Sequence, residues 1–224
     1  MPTDQAAGLR RRSARQALAC IHCWFGSAES SVKLAQALHL RGATPLLIDA
    51  SGRVFADSPA RSLFDWKQQL QRGQLRLLPQ SYGDGWHAPG VRADEPALLS
   101  MARGYDQLVF DMTADRIDMV LMPGATHAVI IEVQATDASM LRAYAQLKTL
   151  SHAKAQVSVS VLGDAAACDH VVAACHRFLE PGFAQAIYSV AHEDNAFTAL
   201  AARMAGGEAS RLARYKAENT GTWP

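Results

Sequence analysis

The best-placed chemistry in this chain lies at His22-Cys-Trp-Phe-Gly-Ser-Ala28, where a compact apolar run gives way to a segment of helical period. Strand, glycine turn and helix in that order at the start of a parallel sheet form a place for nucleotide phosphates. The first N–H groups of a helix lack partners of their own, and the helix dipole is positive there. Gly26 is the one glycine of the turn, Ser27 and Ala28 open the helix, and Asp49 and Asp111 end two other apolar runs.

Other residues invite different chemistry. Cys20-Ile-His-Cys23 has the spacing of a redox pair or half a zinc site, and Cys168, His170, Cys175 and His176 could supply further ligands. Position argues against both roles. Cys20 falls inside a predicted strand, and Cys168 and Cys175 lie two helical turns apart, about 10 Å, too far for one tetrahedral metal. Buried thiols in a reducing compartment are the expectation, with no metal. His192-Glu193-Asp194 has acid and base groups but no nucleophile at an identifiable spacing, and reads as a loop or helix cap. Trp24, Trp66, Trp86 and Trp223 are scattered, and three of them fall in predicted loops or termini.

The elements that must position these residues follow from periodicity. Short apolar runs at Leu18–Cys23, Pro45–Asp49, Gln107–Asp111, His127–Val133, Gln156–Leu162 and Gln185–Val190 predict strands, with a seventh over Leu75–Pro79. Helical spacing places a helix over Ser30–Leu40 with Val32, Leu34, Ala35, Leu38 and Leu40 inward, stopped by Gly42. A second covers Asp137–Leu150, with Met140, Leu141, Tyr144, Leu147 and Leu150 as its apolar face. Gln80–Pro96, rich in Gly, Pro, Asp and Trp, predicts an exposed loop. The alternation predicts an α/β fold: a doubly wound, mostly parallel sheet with helices on both faces.

Composition sets the outer limits. The 224 residues are 49% hydrophobic, enough for one continuous core and few for two. Lys and Arg number 22 against 21 Asp and Glu, so the net field gives no reason to expect nucleic acid. No apolar run approaches the ~20 residues a membrane-spanning helix needs, and no signal-peptide core follows the early arginines, which predicts a cytoplasmic protein. Asp4 and the lack of serine richness argue against an organelle transit peptide.

Gly26-Ser-Ala-Glu-Ser-Ser-Val-Lys-Leu-Ala-Gln-Ala-Leu38 resembles, without a gap, the loop and first helix of the MinD/ParA ATPases, G-K-[ST]-x-x-x-x-x-L-A-x-A-L. Pro45-Leu-Leu-Ile-Asp-Ala-Ser51 is similar to that family's second strand, V-L-L-I-D-A-D, with Asp49 at its first aspartate. Tyr105-Asp-Gln-Leu-Val-Phe-Asp111 resembles its Walker B strand, and Glu132–Ser139 a later strand and helix start. The resemblance implies a MinD-like P-loop fold.

The departures from that pattern fall on the chemistry. The family loop reads K-G-G-V-G-K-[ST], in which one lysine reaches across a dimer, the second binds phosphates and the hydroxyl holds magnesium. Those three positions are His22, Ser27 and Ala28 here, the paired glycines are Cys23 and Trp24, and Ser51 replaces the second aspartate. Side chains at Cys23 and Trp24 would occupy phosphate space if the backbone kept the family path. Each charge-assisted phosphate contact contributes roughly 1.5 to 3 kcal/mol. Losing them predicts a vestigial nucleotide site at Gly26, Ser27, Ala28, Asp49 and Asp111, with no ATP or magnesium cofactor and no hydrolysis. For Asp49 and Asp111, residual ligand binding and a plain capping role both stand.

Residues 1–17 form a basic arm of good helix formers with one large apolar residue, Leu9, too little to dock on the core. Composition leaves a frayed terminus or a helix that orders on a partner. Asp4-Gln-Ala-Ala-Gly-Leu-Arg10 is similar at every fixed position to D-Q-A-x-x-L-R, which begins FlhG, the MinD-type regulators of flagellar number. That resemblance implies an activator helix for FlhF, the signal-recognition-particle-type GTPase. Gln5 would order the hydrolytic water, Leu9 would anchor the helix, and Arg10 would contact acidic or phosphate groups, with Asp4 at the helix start. Other flagellar assembly proteins are further partners under this reading.

The alternative is an active MinD/ParA-type ATPase with an atypical loop, acting in partitioning or in cellulose or pilus placement. The domains expected are the arm 1–17, the degenerate α/β domain 18–205 and a tail 206–224. The tail has Leu212 as its only large aliphatic residue, a poor match to the amphipathic helix ending many MinD relatives, so membrane association is not expected.

Overall fold

A parallel strand buried on both faces must be largely apolar, and the runs around Ile21, Leu47, Val109 and Ile130 meet this demand. The computed structural model describes residues 18–49, 53, 77–78, 105–112, 119, 124–154 and 157–205. The strands among them are β1 Ala19–Trp24, β2 Pro45–Asp49, β3 Leu77–Leu78, β4 Gln107–Asp111, β5 Thr126–Val133, β6 Ser158–Gly163 and β7 Tyr188–Ala191. They form one sheet in the order β3-β2-β4-β1-β5-β6-β7, and every neighbouring pair is parallel. The doubly wound α/β architecture expected from the sequence is therefore the one observed.

Helices cover both faces. On one side, α1 Ala28–Leu40 and α5 Ala196–Ala205 bury Leu34, Leu38, Leu200 and Ala201 against Ile21, Cys23, Val109 and Ile130. On the other, α2 Asp137–His152, α3 Ala165–Phe178 and the short α4 Pro181–Gln185 bury Leu147, Leu150, Val171 and Cys175 against Cys20, Trp24, Phe110 and Ile131. Each fully buried leucine of this kind contributes about 1.5 to 3 kcal/mol. β1, at the centre of the sheet, is thus clamped between two cores.

Side-chain caps start the helices that leave the carboxyl ends of β1, β5 and β6. Ser27 Oγ accepts from the Glu29 N–H at 3.1 Å, Thr136 Oγ1 from Ser139 at 3.3 Å and Asp164 Oδ1 from Ala167 at 2.9 Å. Gly42 ends α1 at φ +87°, a conformation that costs a glycine little.

Some expectations need correction. Gln185–Val190 is not one strand: Glu180 accepts from the Gly182 and Phe183 N–H groups, and Pro181 fits the first helical position, so α4 forms and β7 begins only at Tyr188. Leu141 is 70% and Leu40 86% exposed, not inward. The buried face of α2 is Ser139, Ala143, Gln146, Leu147 and Leu150, and Leu141 stands about 200° round the helix from Ser139. Leu40 falls in the last turn of α1, beyond the reach of the sheet. The seventh strand is shorter than Leu75–Pro79, since β3 has two residues paired with β2. Among the described residues, no helix is long and apolar enough to cross a membrane. The arm, with Asp4, Gln5, Leu9 and Arg10, the loop Gln80–Pro96, Ser51, Trp66, Trp86 and the tail 206–224 lie outside the described residues.

Candidate functional site

In an open parallel sheet, a crevice forms at the carboxyl ends of adjacent strands whose helices leave to opposite faces. β1 and β5 are such a pair: they lie side by side, α1 covers one face and α2 the other. The crevice is lined by Trp24, Gly26, Glu132, Gln134, Arg142 and Gln146, with Thr136 and Ser139 at its helix start. Its volume is about 80 Å3, against roughly 300 to 1,000 Å3 for pockets that take a drug-sized ligand.

The turn between β1 and α1 has only three residues, Phe25, Gly26 and Ser27. Sequence reasoning places Cys23 and Trp24 in a phosphate loop, where they would block the ligand. Instead they continue the strand: Cys23 packs in the core under α1 and α5, and Trp24 in the core under α2 and α3. β1 thus extends through Trp24, and neither side chain fills the turn that follows.

Three N–H groups of the turn and the start of α1 are engaged. The Gly26 N–H donates to Glu132 Oε2 at 2.5 Å, the Glu29 N–H to Ser27 Oγ, and the Ser30 N–H to the Ser27 carbonyl at 3.2 Å. Glu132 comes from the penultimate position of β5, so a carboxylate of the chain itself stands where the helix N-terminus faces the crevice. A Cβ at position 26 would come within 2.9 Å of Gln134 Nε2 and 3.3 Å of Glu132 Oε2, so those side-chain ends would have to shift to admit one. Ser27 serves as the cap of α1, and Ala28 opens that helix without a hydroxyl for a cation.

Asp111, at the end of β4, is fully buried and just as fully engaged. Arg53 donates to both its oxygens, Nε to Oδ2 at 2.8 Å and Nη2 to Oδ1 at 2.8 Å, and Ser31 of α1 donates through Oγ to Oδ1 at 2.5 Å. A bidentate guanidinium is the strongest partner a carboxylate finds within a protein. Asp49 is the β2 neighbour of Asp111 in register, while its side chain lies outside the described residues. Of the predicted site residues, Gly26 and Ser27 therefore lie in the turn after β1 and Ala28 opens α1, with Asp111 on the adjacent strand β4 and Asp49 beside it on β2.

Sequence reasoning missed Arg53 and Ser31, and it quoted Glu132 only as part of a motif. One signal was present, since Glu132 is the single charge within the apolar run of β5. His22 is also placed by the fold. It is fully buried, with its ring stacked on Phe110 at 4.8 Å and flanked by His127 and Trp24 at 6.0 and 6.3 Å. A residue so enclosed does not extend to a second copy of the chain.

Strand periodicity separates the Cys20-x-x-Cys23 pair. Cys20 points into one core and Cys23 into the other, so they cannot share a metal or close a disulfide. Burial pushes the Cys20 thiol up to about 12 and those of Cys168 and Cys175 to about 11. Burial also raises Cys23, reinforced by the Asp111 carboxylate and opposed by Arg53. Because the neutral thiols are favoured only in the folded state, this contribution to stability is complete below about pH 9 and falls as pH rises towards these values. At about pH 8 the native chain should resist iodoacetamide at all four cysteines and react at all four once unfolded, as read by mass spectrometry. Rapid labelling of the native chain would contradict the burial.

His192, Glu193 and Asp194 form an exposed turn between β7 and α5, in which the Glu193 carbonyl accepts from the Ala196 N–H at 2.9 Å, matching the loop or cap expected there.

No family model matches the chain, and none of the curated proteins does. Solved structures do. The MinD cell division protein of Aquifex aeolicus matches with a TM-score of 0.49 at 14% identity, over 85% of this chain and 98% of that one. The MinC:MinD cell division protein complex of the same organism matches with a TM-score of 0.48 at 15% identity, over 83% and 86%.

Proposed function

We propose that this chain is a non-hydrolysing regulator that acts by protein contact in the cytoplasm, in the manner of FlhG, and that its amino-terminal arm stimulates an FlhF-type GTPase in flagellar biosynthesis. The observation that carries the first half is the engagement of two polar groups, one at the β1–α1 turn and one at the end of β4. The Gly26 N–H holds Glu132, and Asp111 holds Arg53 and Ser31. An incoming phosphate would have to displace a carboxylate already hydrogen-bonded there, and a cation would have to displace a bidentate guanidinium. Neither exchange offers a net gain, since each replaces one charge-assisted contact by another. The second half rests on the resemblance of Asp4–Arg10 to the D-Q-A-x-x-L-R element, in which Gln5, Leu9 and Arg10 have assigned roles.

Calorimetric titration with Mg-ATP separates this reading from that of a working ATPase in positioning or partitioning. No heat of binding is expected. Micromolar affinity that disappears in Asp49→Ala would overturn the proposal in favour of the ATPase. The same preparations serve a second measurement, because buried His22 offers no arm for nucleotide-dependent pairing. Light scattering should give one mass with and without Mg-ATP, and a shift from monomer to dimer would count against the proposal.

A further inference from the structure

A site that has lost its ligand ordinarily leaves its donors to water, yet here one bonded pair stands in the crevice at the β1–α1 turn and another beside it at the end of β4. The carboxylate of Glu132 reaches across from β5 to the Gly26 N–H, and Arg53 crosses from the segment after β2 to Asp111. From this we infer that the crevice is self-liganded: Glu132 is an intramolecular anion that closes the β1–α1 turn, as Arg53 is the built-in cation of Asp111. The chain holds its closed arrangement permanently. The inference deepens the proposed function and rests on it only in treating the crevice as a former phosphate site.

Three features of the turn support an occupant that competes with free anions. Glu132 and Gln134 both stand against Gly26, so that a Cβ there would require the end of the Gln134 side chain to shift. Glu132 is not needed to pair a cation, since the only salt bridges among the described residues are Lys33 with Glu29 and Arg53 with Asp111. The contact also joins two elements that leave to opposite faces, the β1–α1 turn and the β5–α2 junction, with Ser139 Oγ accepting from the Gln134 N–H at 3.0 Å to fix the second of them. A bond at this place therefore sets the width of the crevice.

Removing the internal anion should restore affinity for an external one. The test uses the full chain, unmutated and as Glu132→Ala and Glu132→Gln, in inorganic phosphate and in chloride of equal ionic strength. Glutamine keeps the length and an acceptor oxygen, so it guards against a fold that does not survive alanine. Thermal unfolding of the unmutated chain should be indifferent to phosphate. In the variants, Tm should rise by about 3 to 6 °C at phosphate tenfold above its Kd. The Gly26 amide resonance should move in the same titration, which locates the anion. A phosphate-dependent rise in either variant, with the Gly26 shift and absent from the unmutated chain, supports self-liganding. The same rise in all three proteins, a rise in none, or a rise without a shift at Gly26 overturns it. These outcomes leave GTPase stimulation untouched, so the arm and the crevice stand or fall separately.

Discussion

Arg53→Ala is expected to lower the stability of the fold by about 3 to 5 kcal/mol, the range for breaking a buried ion pair by removing one partner. The cost arises at Asp111, which has no exposed surface and would lose its bidentate cation. Arg53 keeps 29% of its side chain exposed, so water entering the vacated space relieves part of the penalty and places the loss nearer the lower figure. For a chain of this size, about 3 kcal/mol lowers Tm by roughly 6 to 12 °C. Arg53→Lys should recover only part of the loss, because an ammonium cannot reproduce the two parallel N–H bonds. The double variant Arg53→Met, Asp111→Leu should be far more stable than Arg53→Ala, since it leaves no buried charge. Urea unfolding at constant m-value gives all four figures. A loss under about 1 kcal/mol for Arg53→Ala would mean that the pair behaves as an exposed one.

That single contact illustrates where the sequence was legible and where it was not. β1, β2, β4 and β5 could be read almost to the residue, because a parallel strand buried on both faces has to be a continuous apolar run. The end of α1 could be read from Gly42, whose chemistry is local, whereas its start lies two residues before the expected Ser30, behind the Ser27 cap. Arg53 and Asp111 lie 58 residues apart, and Gly26 and Glu132 lie 106 apart. Such pairs exist only once β4 has been inserted between β2 and β1, and β5 laid on the far side of β1. No periodicity encodes that order. Leu40 and Leu141 failed for a different reason, as a helical window counts every apolar residue near the stripe, whereas packing accepts only those the sheet can reach.

The same topology explains how β1 can run on through Trp24. Within β1 the side chains alternate between two cores, so His22, Cys23 and Trp24 each have an apolar place to go. A lysine at position 22 would be carried into the interior by this extended strand, where an unpaired ammonium is costly. Histidine, stacked flat on Phe110 with 5° between the ring planes, is compatible with burial. The extended strand and a buried histidine at position 22 are thus compatible with one another.

The largest functional effect is expected at Gln5, far from this crevice in sequence role. If the arm supplies a glutamine that orders the hydrolytic water of an FlhF-type GTPase, full-length Gln5→Ala should stimulate GTP hydrolysis about 100-fold less than the unmutated chain, the lower end of what a positioned catalytic group contributes. Its binding should change little, since a group acting on the transition state adds little to ground-state affinity. Leu9→Ala should do the reverse: it deletes the one large apolar anchor of the arm, and losing about 1.5 to 3 kcal/mol of burial raises Kd roughly 10- to 150-fold. A synthetic peptide of residues 1 to 20 should stimulate the GTPase of the same organism without the α/β domain, and Gln5→Ala should silence it. Steady-state hydrolysis at saturating and subsaturating regulator distinguishes the two variants, because excess protein rescues Leu9→Ala and cannot rescue Gln5→Ala. If neither the full chain nor the peptide changes the rate, the arm is no activator, and the flagellar reading falls while the self-satisfied contacts of Gly26 and Asp111 remain.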